Sequence, residues 1–164
     1  MSEAAAPLPR GRHNLTRDQV EASQRLRLAV GLTEALGAQG YAGTSVAAIL
    51  SRAGVSRLTF YELYDNKLDC FLDALDLVGE VLLAGLRSSF DRTDGDPVAR
   101  AGAVIDRYLT TLSENLGFAR LYIVEVNAAG PAALARRAAL QRQVVDALAD
   151  LVGARDADDR FACL

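Results

Sequence analysis

Cysteine is scarce in this chain of 164 residues. Its two examples, Cys70 and Cys163, stand far apart, with no CxxC pair and no cluster of cysteine with histidine. That spacing indicates neither a zinc site nor a disulfide framework, and it fits a reducing compartment. The one histidine, His13, lies in the opening segment. No GxSxG elbow, phosphate-binding loop or metal-ligand cluster accompanies it, and Glu125 is a single carboxylate without a catalytic partner. Those absences argue against an enzyme, and they imply no cofactor and no metal. The first residues, MSEAAAPLPRGRHN, lack the apolar core of a signal peptide. No apolar run approaches the roughly 18 residues that a membrane span needs. The sequence therefore predicts a cytoplasmic protein with no membrane partner. Strand-type alternation is nearly absent as well, while Ala, Leu, Val and Arg dominate, so the expected fold class is all-α.

The composition is that of an ordinary globular chain, half hydrophobic and a quarter charged, with a net charge of −3. That net charge does not suggest nucleic acid, but its distribution does. Residues 10–67 hold eight Lys/Arg against five Asp/Glu, a balance of +3. Residues 69–164 hold ten Arg against fifteen Asp/Glu, a balance of −5. A mildly basic front on an acidic remainder is compatible with nucleic acid at the front.

Punctuation along the chain predicts seven helices. Residues 1–15, rich in Ala, Pro and Gly and carrying Arg10 and Arg12, read as a disordered basic arm. Thr16 with Gln19 three residues later forms a capping box, and Leu28, Leu32, Ala35 and Leu36 then mark one apolar face. Gly40 is a natural stop. Thr44 or Ser45 caps a second helix, carrying Val46, Ile49, Leu50 and Ala53, which Gly54 ends. Ser56 caps a third, short helix running to about Tyr64. Lys67 opens a fourth that reaches about Phe90, with Leu68, Phe71, Leu72, Leu75, Leu82 and Leu86 as its buried stripe. TDGDP at 93–97 is the clearest linker. Helices at 97–115, about 118–128 and 131–151 follow, the last two parted by AAGP. The predicted domains are the arm at 1–15, a helix-turn-helix at 16–66 and a helical body at 67–164.

The second and third helices are joined by only four residues, AGVS, in the stretch GYAGTSVAAILSRAGVSRLTFYELYDNK at 40–67. The third helix can turn only Phe60, Leu63 and Tyr64 inward. Its opposite side carries Leu58, Tyr61, Glu62 and Asp65, with Arg57 and Thr59 beside them. An outward Leu between an Arg and a Tyr suits a face that enters a major groove. Arg can take both guanine acceptors, and an apolar side chain can touch a thymine methyl. Hydroxyls, ammonium groups and free backbone N–H groups at helix starts suit phosphates. The bland alternative is an αα-corner in a helical bundle.

The whole 28-residue string resembles the DNA-binding head of the TetR (tetracycline-repressor-like) family. It matches that family's pattern at Gly40, Tyr41, Thr44, Ser45, Val46, Ile49, Ala53, Gly54, Val55, Ser56, Thr59, Phe60, Tyr61, Tyr64, Asn66 and Lys67. The resemblance departs at Leu63, where many relatives carry His, so it implies no polar contact there. It implies DNA contacts from Thr44, Ser45, Ser56, Arg57, Leu58, Thr59 and Tyr61, and a phosphate contact from Lys67. It also implies a homodimer on a palindromic double-stranded operator, acting as a repressor released by a small apolar or amphipathic ligand in the helical body. Leu86, Phe90, Ile105, Tyr108, Leu109, Tyr122, Val126 and Val144 are the expected lining of that ligand site, with plain core packing as the competing reading for each. Relatives close their dimer with two C-terminal helices. DRFACL looks like the start of one of them, so the last helices are expected to be missing. The alternative function is a helix-turn-helix head that binds another protein rather than an operator.

Overall fold

The computed structural model describes residues 16–92 and 97–152. The arm with Arg10 and Arg12, most of the TDGDP linker, and the DRFACL end lie outside the described residues. Within them the chain is helical and contains no strand. It divides into two compact units, one ending at Ala74 and one starting at Leu75. The first therefore takes in the opening turns of the fourth helix, beyond the expected limit at residue 66.

The first unit begins with α1 (Arg17–Gly43), capped by Thr16. The Thr16 hydroxyl accepts from Gln19 N at 3.3 Å while the Gln19 side chain accepts from Thr16 N at 2.9 Å, the capping box expected from the sequence. Leu28, Leu32, Ala35 and Leu36 are buried together on one face. Gly40 breaks the helix with φ 67°, a backbone region that a side chain resists. Then come α2 (Val46–Ala53), α3 (Arg57–Leu63) and α4 (Lys67–Arg92). Gly31, in the middle of α1, is where α2 crosses. A Cβ built there would stand 2.7 Å from Ala53 N and 2.9 Å from Ile49 O, so only hydrogen fits. Ile49 and Phe60 fill the rest of this core, both wholly buried.

The second unit holds the remainder of α4, then α5 (Pro97–Glu114), α6 (Leu116–Arg120), a π-helical turn (Leu121–Glu125), α7 (Val126–Ala129) and α8 (Pro131–Val152). The expected sixth helix is thus present but carries a wider turn in its middle. That turn brings Arg120 and Glu125, five residues apart, into an ion pair of 2.9 Å. Gly130, at φ 98°, and Pro131 supply the break before α8. On α4, Asp76 pairs with Arg136 of α8 at 2.9 Å and Ser89 donates to the Ala103 carbonyl of α5 at 3.1 Å. Gly79 admits Leu140 of α8, which a Cβ would meet at 2.5 Å.

Candidate nucleic-acid interface

Each helix of the head is started by a hydroxyl or an amide, and α1 and α2 are stopped by glycines visible in the sequence. Ser45 Oγ accepts from Ala48 N at 3.2 Å to begin α2. Gly54, in the left-handed conformation at φ 60°, ends it. Two residues later Ser56 Oγ accepts from Thr59 N at 3.0 Å and lies 2.9 Å from Thr59 Oγ1, starting α3. The short joint is held from the side by Arg27 of α1, whose guanidinium donates to the Gly54 carbonyl. Asn66 then caps α4, its Oδ1 accepting from Leu68 N at 2.8 Å and Asp69 N at 3.2 Å.

Seven residues long, α3 divides sharply by side. Phe60 is wholly buried, and Tyr64, just past the end, is nearly so. On the other side Leu58 is 72 % exposed, the most of any large hydrophobic residue among the described residues of the first unit, and Tyr61 is about half exposed. Arg57, Glu62 and Asp65 are exposed with them. The Tyr61 ring stands edge-on to Phe60 at 5.3 Å between centroids, and the Arg57 guanidinium lies 6.0 Å from the Tyr61 centroid. This side therefore presents a cation, a methyl-rich side chain and a phenol from one rigid turn and a half. Ser45 and Ser56, at the starts of α2 and α3, are also exposed.

Two of the residues expected at the interface are engaged within the fold. Thr44 is only 3 % exposed, and its hydroxyl donates to the Gly40 carbonyl at 2.7 Å. Lys67 is half-buried. Its ammonium donates to the Tyr41 carbonyl at 2.7 Å and the Thr44 carbonyl at 2.8 Å, and lies 4.0 Å from the Tyr41 ring centroid. Burial lowers its pKa from the ordinary lysine value. A positive charge against the carbonyl end of α1 also complements the helix dipole. Two of its three N–H groups are thus spent on holding α1, α2 and α4 together.

Residues that the motif did not single out complete the head. Gly31 permits the α1–α2 crossing, Arg27 braces the joint, and Arg25 and Asp73 form a bonded group with Tyr64 of the motif. A glycine in a helix interior was the one available signal for Gly31. For the Arg25–Asp73 pair, 48 residues apart, the sequence offers none.

In the second unit the eight residues expected to line a ligand site do not share one environment. Leu86, Tyr122 and Val126 are buried, Tyr108 and Val144 are half-buried, and the Phe90 side chain lies outside the described ones. Ile105 and Leu109 are each 56 % exposed, on the outer side of α5. The inward side of α5 carries Val104 and Thr111 instead. Apolar residues occupy two adjacent faces of this helix, and spacing alone did not say which one packs. Tyr122, on the π-helical turn, shares a hydrogen bond with Tyr108, and its pKa is pushed up to about 12, mainly by burial.

Residues 31–74 match the family model described as bacterial regulatory proteins, tetR family. Among solved structures, the crystal structure of a TetR family transcription regulator from Marinobacter aquaeolei VT8 matches with a TM-score of 0.67 and 21 % identity. The match covers 81 % of this chain and 70 % of that one. No curated protein matches this sequence.

Proposed function

We propose, from a helix-turn-helix head that belongs to the tetR family of bacterial regulatory proteins, that the chain is a sequence-specific DNA-binding regulator of transcription, and specifically a repressor. The observation that carries the reading is the outer side of α3, with Leu58 exposed between Arg57 and Tyr61 on a helix fixed at its start by Ser56. In this reading α3 enters the major groove. Arg57 takes a guanine, Leu58 meets a thymine methyl, and Thr59 and Tyr61 flank them. Ser45, Ser56 and the start of α2 meet phosphates. Lys67 contributes its charge from the margin, and Thr44 supports the turn beneath.

Two copies would read a near-palindrome with half-sites roughly 34–36 Å apart or a multiple of that. The helical body would take a small apolar or amphipathic molecule, with the buried Tyr122 and Val126 and the half-buried Tyr108 as its candidate lining. Such a ligand releases DNA only to the extent that it binds one arrangement of the protein better than the other. Selection of duplexes from a random pool by the purified protein tests the reading. A palindromic sequence supports a dimeric DNA reader, and a single half-site supports a monomeric one. No enrichment at moderate salt refutes DNA reading and favours a protein partner for the head.

A further inference from the structure

The direction of α3 depends on little. It buries only Phe60 along its length. Its first turn is fixed by Ser56 and by the Arg27 bond to Gly54, and its last turn ends on Tyr64, whose backbone N–H donates to the Phe60 carbonyl. Tyr64 is 6 % exposed. Its ring stands against Phe60 at 5.4 Å and under the Arg25 guanidinium at 5.6 Å. The Tyr64 hydroxyl donates to Asp73 Oδ2 at 2.5 Å, while Asp73 Oδ1 accepts from Arg25 Nη1 at 2.9 Å. Arg25 is itself held by Glu21, whose Oε1 accepts from Arg25 Nε and Nη2 at 3.1 and 3.0 Å. One carboxylate on α4 thus ties the end of α3 to α1, using both of its oxygens.

We propose that Asp73 and Tyr64 are positioning residues for DNA reading, touching no DNA themselves but holding the outer face of α3 at the angle the groove requires. Asp73 stands on α4, not on the helix-turn-helix, one residue before the first unit ends at Ala74. A rotation of α4 about its own axis moves both of its bonds together. The end of α3 is therefore tied to α4 by this hydroxyl as well as by the three residues, 64–66, that join the two helices. The proposal rests on the DNA-binding reading and adds to it a specific route by which α4 can set the recognition face.

Tyr64→Phe removes the hydroxyl and keeps the ring, and Asp73→Asn keeps the shape and removes the charge. The test measures three quantities for wild type, both variants and the double variant. These are affinity for the duplex that wild type selects, affinity for mixed-sequence DNA at the same salt, and the thermal midpoint. Each single variant should bind the selected duplex roughly tenfold more weakly, the size of one lost charge-assisted hydrogen bond. Binding to mixed-sequence DNA should stay within about twofold, because it depends on charge rather than on the angle of α3. The double variant should lose little more than either single one. Unchanged affinity for the selected duplex in both variants overturns the proposal. So does a proportional loss on both DNAs that tracks a fallen midpoint, since that reports unfolding alone. If wild type selects no duplex, the DNA reading falls and this proposal falls with it.

Discussion

Replacing Gly31 by Ala adds one methyl group to the middle of α1, and helix propensity alone predicts a gain of about 1 kcal/mol. The packing predicts the reverse. The new Cβ would lie 2.7 Å from Ala53 N, 2.9 Å from Ala53 Cβ and 2.9 Å from Ile49 O. Two of those three atoms are backbone, so no side-chain rotation relieves the clash, and α2 has to move off α1. Overpacking of this kind costs roughly 1–3 kcal/mol, and a collision with backbone belongs at the upper end. The net effect is a loss of about 2 kcal/mol, or roughly 8–16 °C in thermal midpoint for a unit of this size. Gly37 of the same helix supplies the control, because nothing lies within 4 Å of a Cβ added there. Gly37→Ala should match wild type or gain up to about 1 kcal/mol. Thermal and urea unfolding followed by circular dichroism measure both variants. A Gly31→Ala protein as stable as wild type, or more stable, would show that α1 and α2 do not approach as described.

Three further outcomes are expected. Burial raises the phenol pKa values of Tyr41 and Tyr64 and carries Tyr122 from 10.0 to about 12 and the Cys70 thiol from 9.0 to about 12. The folded chain therefore keeps protons that the unfolded chain releases, so stability is fully present below about pH 9 and falls as pH rises through 10 to 12. Denaturant midpoints measured across that range check the sign, and a midpoint that rises above pH 10 contradicts it. Arg57→Ala should leave the thermal midpoint unchanged, since the side chain is exposed, and should weaken binding to a selected duplex by about 1–3 kcal/mol. Lys67→Ala should do two things at once: reduce the salt slope of DNA binding by about one ion, and lower stability by roughly 1–2 kcal/mol, and the thermal midpoint with it, through its two lost carbonyl bonds. An unchanged midpoint would mean the ammonium does not brace the end of α1.

What the sequence revealed of this molecule follows the range of the forces involved. Caps and stops act over three or four residues, so Thr16, Gly54, Ser56 and Gly130 could be placed by reading along the chain, and the cap of α2 narrowed to Thr44 or Ser45. The outward side of α3 was equally legible, because seven residues with one strongly apolar inward position leave little choice. Relations across the fold were not. Thr44 and Lys67 have the residue types of phosphate contacts, and only the three-dimensional path shows their polar atoms turned onto the end of α1. Ile105 and Leu109, expected to line a ligand site, are exposed on α5, whose apolar residues cover more than one side. The π-helical turn at 121–125 leaves no mark in a pattern of 3.6-residue repeats, although it decides where Tyr122 and Glu125 point.

The chain contains a single lysine. Acylating reagents thus meet one side-chain amine, and that amine is the clasp between the Tyr41 and Thr44 carbonyls. While the clasp is shut, two carbonyls and an aromatic ring shield the nitrogen. When it opens, the amine reaches solvent, regains the ordinary pKa of a free lysine, and can react. The labelling rate of Lys67 is therefore a native-state gauge of how often the end of α1 lets go of α4, with no engineered probe required. The same chemistry warns against coupling this protein to a surface through its lysine, which would fix it by the joint on which its head depends.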